Sequence, residues 1–297
     1  MLEQAMGTRV TPRTKLVPRE ADVQTGYELP CDTFIVDGRR SGVESAEVRL
    51  FTVPGGCPEH SRTVVCLPGL GASGRSFAPL RAISGEHRFL FWTPPLCTPR
   101  GLSPLQFNTR ALADAPVLPP QFSLCGSSYG SLVALEFALR NPNRLNALVL
   151  VSPVACKDEI RKGAMLAQTA MKVRLPFGYL FAPAVARILG GRNLGSLARA
   201  EIVREARRIT PGEMGRRLKD ILSTELMSEL SKLSTPALII HGDRDRVVPL
   251  RSAEKVARAI PGAELVIIKG AGHLPYMSHP DAFNAALDGF LQKAGQQ

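Results

Sequence analysis

The sequence has no apolar run long enough to cross a bilayer. Its longest apolar stretches, 147–151 and 237–240, are far shorter than the roughly 18 residues that a membrane-spanning helix needs. Residues 1–20 are basic and lack the apolar segment of a secretory signal. We therefore expect no transmembrane segment, and we interpret residues 1–30 as a basic N-terminal arm.

Closely spaced cysteines are also missing. The six cysteines are scattered, and none forms the C-x-x-C pair that is typical of zinc sites or redox dithiols. Cys66 and Cys125 lie in apolar runs, where a free thiol behaves as a small hydrophobic side chain. These features predict a reducing, cytoplasmic location and no metal site.

Acidic residues are few: 26 Asp and Glu stand against 37 Lys and Arg, which gives a formal net charge of +11. The basic residues are spread along the chain without a nucleic-acid-binding motif, so the charge does not indicate binding to DNA or RNA. An anionic substrate, carrier protein or membrane surface explains it better. With 44% hydrophobic and 21% charged residues, the composition excludes a disordered or fibrous protein.

Short apolar runs and helical patterns alternate along most of the chain. Two short strands are predicted at 33–36 and 48–53. Parallel strands covered on both faces are predicted at 63–67, 89–92, 122–125, 147–151, 237–241 and 264–268. Helical periodicity is clearest at 131–140, 252–259 and 280–293. This order predicts an α/β fold with a doubly wound, mostly parallel sheet.

One long segment interrupts the alternation. Residues 154–233 show helical periodicity, several Gly and Pro breaks and no convincing strand. We predict that this segment is a helical cap inserted after the sixth main strand, and that 31–153 and 234–297 form the core. The segment is rich in apolar residues that could line a pocket, and it has an excess of basic residues that includes the pairs 207–208 and 216–217.

A G-x-S-x-G motif lies where a strand is predicted to turn into a helix. Gly126-Ser127-Ser128-Tyr129-Gly130 follows the apolar run 122–125 and precedes the helical pattern. This is the context of a nucleophile elbow, in which a sharp turn lifts a strained serine out of the sheet. The motif alone could be a chance turn, because a serine hydroxyl becomes a good nucleophile only beside an imidazole that a carboxylate orients.

Both partners follow in the chain order that this geometry requires. Asp243 and Asp245 come directly after the predicted strand 237–241, and His273 follows a glycine-rich turn after the next strand. His241 lies at a strand end and His279 at a helix start, where a structural role is the ordinary interpretation.

The segments LPGLGAS, GSSYG, HGDRDRVVP and GAGHLPY together resemble the α/β-hydrolase superfamily over roughly residues 45–293. The resemblance implies Ser128 as nucleophile, His273 as base and Asp245, the second of the two acids, as the group that orients His273. Asp243 is then a turn or capping residue.

The resemblance also implies an oxyanion hole made by the backbone N–H groups of Leu70 and Tyr129. Pro68 departs from the commonest family pattern, a His before the first Gly, and this affects the bracing of the loop more than its N–H donor. The same loop, 69–74, is formally a dinucleotide-binding G-x-G-x-x-G. The following strand ends in Phe91-Trp92-Thr93-Pro94 with no acid for a ribose, so we expect no cofactor.

The implied function is hydrolysis of a carboxylic ester or thioester of a hydrophobic acyl substrate through an acyl-enzyme. An anionic carrier is one candidate for the group to which the acyl chain is attached. A carbon–carbon bond hydrolase, a lipase or a perhydrolase side activity would use the same residues. A non-enzymatic ligand-binding or receptor member of the fold could keep them as well. The serine at 128 argues against the dehalogenases and epoxide hydrolases, which use aspartate.

Overall fold

The computed structural model describes residues 31–36, 46–52, 62–84, 87–155, 187–191, 194–206 and 208–296. The predicted N-terminal arm, 1–30, lies outside them, and so do 156–186, which hold most of the apolar residues expected to line a pocket in the insertion.

Eight strands form one sheet in the order β1-β2-β4-β3-β5-β6-β7-β8. They are β1 Cys31–Val36, β2 Ala46–Thr52, β3 Arg62–Leu67, β4 His87–Thr93, β5 Phe122–Ser127, β6 Leu145–Val151, β7 Ala237–Gly242 and β8 Glu264–Ile268. β2 pairs antiparallel with both β1 and β4, and every other pairing is parallel. The predicted mostly parallel sheet is confirmed, and every predicted strand is present.

Seven α-helices are described: α1 Pro104–Asp114, α2 Tyr129–Arg140, α3 Ser196–Ala206, α4 Pro211–Ser223, α5 Leu250–Ala259, α6 Pro275–Ser278 and α7 Pro280–Ala294. Shorter 3-10 segments occupy Gly74–Ile83, Pro142–Arg144 and Met227–Lys232. At the start of α1, Ser103 and Gln106 form a reciprocal capping box and Pro104 takes the first helical position, so the sequence sets this helix start.

Helices cover both faces of the sheet because alternate strand residues point to opposite sides. On β3, Val65 and Leu67 join the core cluster that α1, α2 and α5 complete. Val64 and Cys66 face the other cluster, which Gly74–Ile83 and α7 complete. The doubly wound arrangement is therefore confirmed. β8 differs from expectation: it is an edge strand, and Ile267 on it is 42% exposed rather than covered on both faces.

Between β6 and β7, the described residues form helices and no strand. α3 and α4 lie in this segment, as does a helical turn at 187–190. The segment returns to the core at its end, where the Leu226 N–H donates to the Ala155 carbonyl at 2.9 Å and Leu230 is fully buried. The boundaries of arm, core and cap stay a prediction.

Candidate active site

Ser128 stands at the turn between β5 and α2 with φ 53° and ψ −115°, a backbone conformation that is rare outside glycine. The glycines of the motif permit this turn by letting backbone segments meet. A Cβ on Gly126 would overlap the carbonyl of Gly130, and a Cβ on Gly130 would overlap the carbonyl of Leu67. The local geometry is thus that of a nucleophile elbow.

Hydrogen bonds hold the strained turn in place. The Ser128 N–H donates to the Val151 carbonyl at 2.9 Å, which ties the elbow to the end of β6. The Ser131 hydroxyl donates to the Ser128 carbonyl and accepts from the Val154 N–H at 3.0 Å. Such surrounding contacts offset a backbone strain of about 1–3 kcal/mol.

Asp245 and His273 form a buried pair. The Nδ1 of His273 lies 2.7 Å from Oδ2 of Asp245, and the other carboxylate oxygen accepts from the N–H groups of Val247 and Val248 at 2.7 and 3.0 Å. Burial would raise the pKa of Asp245, but His273, its hydrogen bond and the other polar neighbours outweigh it, so the pKa is lowered. Asp245 is therefore an ionised acceptor that orients the imidazole.

The end of β6 forms hydrogen bonds with both Ser128 and His273. Val151 accepts from the Ser128 N–H, and the hydroxyl of the next residue, Ser152, donates to the His273 carbonyl at 3.0 Å. Among the described residues, no hydrogen bond joins Ser128 Oγ to the free ring nitrogen of His273. Hydrogen bonds of this kind are often long in the unliganded enzyme and tighten when substrate binds.

The two acids that follow β7 have different partners. Asp243 accepts from the Gly270 N–H at 2.6 Å and so braces the loop that leads to His273. The structure places Asp245, and not Asp243, against the imidazole. Close packing of these loops depends on Gly242, because a Cβ there would overlap the carbonyls of Ala271 and Gly272.

The two backbone N–H groups predicted as oxyanion donors belong to Leu70 and Tyr129, on segments next to Ser128. Tyr129 is the first residue of α2, so its N–H has no acceptor one turn earlier in the helix. Leu70 follows Gly69, whose Cα lies so close to the elbow that an added Cβ would be 3.4 Å from Ser128 Cβ. The third glycine of the formal dinucleotide motif, Gly74, packs on the Phe91 backbone, which gives it a structural role.

The other histidines lie where a structural role was expected. His241 is completely buried, its Nε2 is 3.7 Å from Asp245 Oδ2, and burial lowers its pKa. His279 contacts the Ser278 hydroxyl at 3.0 Å through Nδ1. His87, which drew no attention in the sequence, is paired with Asp288 at 3.0 Å.

A family model described as the alpha/beta hydrolase family matches residues 64–286. The chain belongs to the α/β-hydrolase family. The pimeloyl-[acyl-carrier protein] methyl ester esterase of Nitrosomonas europaea is 30% identical over 198 residues, which are 63% of this chain and 77% of that protein. The esterase of the same name from Serratia marcescens is 27% identical over 78% of this chain and 95% of its own length.

Solved structures of other α/β hydrolases share the fold. A carboxylesterase from Bacillus subtilis superposes with a TM-score of 0.70 at 19% identity, covering 90% of this chain and 93% of its own. A bromoperoxidase from Bacillus anthracis gives 0.73 at 18% identity, covering 88% and 99%. At these identities the likeness establishes the fold alone, and the different names show that the fold serves several activities.

Helix α4 of this hydrolase is fixed to the loop after β4 by buried charges that the sequence analysis did not single out. Glu213 accepts from the Thr98 hydroxyl at 2.7 Å and from Nε of Arg217 at 3.0 Å, and its side chain is fully buried. Arg217 also donates to the Pro95 carbonyl at 2.8 Å. Helix spacing could have signalled this pair, since residues 213 and 217 are four apart.

A second contact joins α4 directly to the elbow. Asp220 accepts from the Tyr129 hydroxyl at 2.9 Å and from the Leu105 N–H at 2.8 Å. Burial raises the pKa values of both Asp220 and Tyr129, so the phenol stays protonated and donates. The side chain of the residue after Ser128 is thereby fixed to α4.

These contacts give a structural role to the 216–217 arginine pair, which the sequence analysis counted in the basic excess of the insertion. Arg217 is buried, and Arg216 donates to the backbone carbonyls of Thr98, Pro99 and Leu102. Both guanidinium groups serve to fasten α4 to the loop after β4. Of the other predicted pair, Arg207 lies outside the described residues, and Arg208 is 3.5 Å from Glu205.

No helix in the described ranges combines the length and apolar character needed to cross a membrane.

Proposed function

We propose that this α/β hydrolase cleaves carboxylic esters, with Ser128 as nucleophile, His273 as general base and Asp245 as the orienting acid. The observation that carries the proposal is the buried 2.7 Å pair of His273 and Asp245, placed on the loop that the end of β6 ties to the strained Ser128. The esterase names of the sequence relatives support the same reaction class.

The mechanism follows from the donor directions. His273 donates its Nδ1 proton to Asp245, so Nε2 carries the lone pair that accepts the Ser128 proton. Ser128 Oγ attacks the ester carbonyl, and the N–H groups of Leu70 and Tyr129 stabilise the oxyanion. His273 returns the proton to the leaving alcohol, and water then releases the acid from the acyl-enzyme by the same steps.

This assignment is tested by measuring kcat for the hydrolysis of p-nitrophenyl esters of increasing acyl chain length with the native chain and its variants. We expect Ser128→Ala to lower kcat on the order of 10⁶-fold because the nucleophile is lost. Ser127→Ala is the matched control, since Ser127 lies in the same motif but contacts the Tyr276 hydroxyl at 3.4 Å. Equal activity of the Ser128→Ala variant and the native chain would refute the role given to Ser128.

We also propose that the acyl group is presented on an anionic carrier. Support comes from the net charge of +11 and from relatives named for esters on an acyl-carrier protein. Electrostatic steering predicts that kcat/KM for an ester on an acidic carrier protein falls several-fold as salt rises, while that for a small neutral ester stays constant. Salt independence with both substrates would count against a carrier.

Among the alternatives, a carbon–carbon bond hydrolase, a lipase and a ligand-binding protein share the same proposed triad. The esterase relatives favour ester hydrolysis over each of them. We place the protein in the cytoplasm, supported by the free thiols of Cys66, Cys97 and Cys125.

A further inference from the structure

Helix α4 contacts both backbone segments that carry the proposed oxyanion donors. The N–H of Tyr129 is at the start of α2, and the N–H of Leu70 is in the loop after β3, between Gly69 and Gly71. Helix α4 comes from the segment between β6 and β7. The two donor segments and α4 are therefore far apart in sequence, and side-chain contacts hold them together.

The side chain of Tyr129 is held by α4 at two points. Its hydroxyl donates to Oδ2 of Asp220 at 2.9 Å, and the guanidinium carbon of Arg217 lies 6.0 Å from the centre of its ring. Residues 217 and 220 are three apart, so they lie on the same face of the helix. Tyr129 is 1% exposed, so water has little access to this hydrogen bond.

Asp220 is a buried carboxyl group that the proposed reaction does not use. The oxygen that accepts from Tyr129 also accepts from the Leu105 N–H at 2.8 Å, which fixes the carboxyl group to the start of α1. Among the described residues, none forms an ion pair with Asp220. Burying such a group without a cation is costly, so a role beyond stability is expected for it.

A third residue of the same helix face contacts the other donor segment. A Cβ added to Gly71 would be 2.8 Å from the terminal methyl carbon of Met214, so this methionine lies directly against the loop. Gly71 is the residue after Leu70, and its φ of 77° is a conformation that glycine adopts readily. Met214, Arg217 and Asp220 follow one another at intervals of three along α4.

We propose that α4 positions the oxyanion hole, with Asp220 and Met214 as positioning residues for the N–H groups of Tyr129 and Leu70. The inference rests on the proposed ester hydrolysis and adds the residues that hold its oxyanion donors in place. Such donors act only if they are fixed before the reaction, because they stabilise charge that develops in the transition state. Loosening either segment therefore slows the reaction without weakening substrate binding.

Hydrolysis of p-nitrophenyl butyrate tests the proposal. We expect Asp220→Ala and Met214→Ala each to lower kcat about tenfold and to leave KM within about twofold, because formation and breakdown of the acyl-enzyme both pass through an oxyanion. The kcat is calculated per site that reacts to completion with a fluorophosphonate, so unfolded chains are not counted. Asp220→Asn keeps an acceptor oxygen and should restore kcat to within about threefold of the native value.

Inhibition by hexyl trifluoromethyl ketone reports on the oxyanion hole directly. Ser128 Oγ adds to the ketone carbon, its proton passes to His273, and the former carbonyl oxygen becomes the oxyanion that the hole binds. The Ki should rise about tenfold in Asp220→Ala and in Met214→Ala, in parallel with the fall in kcat. A purely structural role would lower the free energy of unfolding and leave both Ki and kcat per site unchanged.

Thr98→Val is the matched control. The Thr98 hydroxyl donates to Glu213 at 2.7 Å, so its loss weakens a buried attachment of α4 to the loop after β4. We expect this variant to be less stable to urea, with kcat and Ki within about twofold of the native values. A loss of kcat as large as that of Asp220→Ala would mean that general loosening of α4 is responsible, and would overturn the proposal.

Tyr129→Phe removes the same hydrogen bond from its other end and replaces Asp220→Ala if that variant does not fold. It should lower kcat about threefold or more, and an unchanged kcat would disprove the role of Asp220.

Failure of the proposed reaction gives a different result. A native chain that hydrolyses no ester and binds no ketone would overturn both proposals. A native chain that does both, with kcat and Ki unchanged in Asp220→Ala and Met214→Ala, would overturn only the positioning by α4.

Discussion

Ser128 combines two demands that oppose each other at a single residue. Its hydroxyl is required for the proposed chemistry, whereas its backbone, at φ 53°, is a conformation that glycine adopts with less strain. The neighbouring hydrogen bonds from Ser131 and to Val151 hold the strained form. Keeping a serine at this position is therefore expected to lower the free energy of unfolding.

This conflict predicts that Ser128→Gly is more stable to urea than Ser128→Ala by about 1 kcal/mol, although both are inactive. Alanine keeps the Cβ that strains the turn, and glycine removes it. The comparison isolates the backbone because both variants lack the hydroxyl. An alanine variant as stable as the glycine variant would mean that the turn is not strained.

His241 provides a prediction of pH dependence at the residue scale. It is surrounded by Asp245, His273 and Glu254, and burial outweighs the two carboxylates to lower its pKa from 6.5. Below about pH 6.5 the unfolded chain binds the proton more readily than the folded chain does, so this residue makes stability fall as pH falls.

A His241→Phe variant should therefore lose less unfolding free energy than the native chain between pH 7.5 and 5.5. Urea denaturation at the two pH values, with m-values compared, measures this difference. The same loss in both proteins would contradict the burial of a neutral imidazole at this position.

At the scale of elements, the sequence predicted the sheet because its strands are apolar runs separated by helical periodicity. The strand-to-helix turn at Gly126–Gly130 was predictable because the turn needs residues without a Cβ. In the structure, a Cβ on Gly126 or Gly130 would overlap neighbouring backbone atoms. The exposure of Ile267 was not, because an apolar run does not reveal whether a strand lies at the edge of a sheet.

Helix α4 was the harder element to interpret. Charges on a helix are usually solvated, so the sequence did not show that Glu213, Arg217 and Asp220 are buried. Their partners lie on a loop and at the start of α1, more than 100 residues away in sequence. Only the folded chain brings Thr98 and Leu105 to them. The attachment of α4 to the site thus depends on tertiary contacts that no local pattern encodes.

We expect Glu213→Ala to destabilise the protein by about 3–5 kcal/mol, since it leaves the Arg217 guanidinium buried without its carboxylate. Glu229→Ala is the matched control: Glu229 pairs with Lys232 at 3.3 Å on the surface, and its loss should cost under about 1 kcal/mol. Urea denaturation compares the two.

If Glu213→Ala does not fold, Glu213→Gln keeps hydrogen-bonding groups and removes only the charge. An effect of Glu213→Gln no larger than that of Glu229→Ala would contradict the importance of this buried pair.

At the scale of the whole molecule, the segment between β6 and β7 contacts the core next to Ser128. Ser128, Asp245 and His273 of the proposed triad follow the carboxyl ends of strands, and α4 holds Tyr129 beside the proposed nucleophile. The family was predictable from four short motifs, and the family match confirms it. The acyl chain and the leaving group were not predictable, because the motifs identify the reaction class and not the pocket.

The central claim is that Ser128 is an activated nucleophile, and intact-mass spectrometry after exposure to a fluorophosphonate tests it most directly. The account predicts one adduct on the folded chain and on Ser127→Ala, and none on Ser128→Ala or on the unfolded chain, because reaction requires His273 beside the hydroxyl. No adduct on the folded chain, or an adduct that persists in Ser128→Ala, would contradict it.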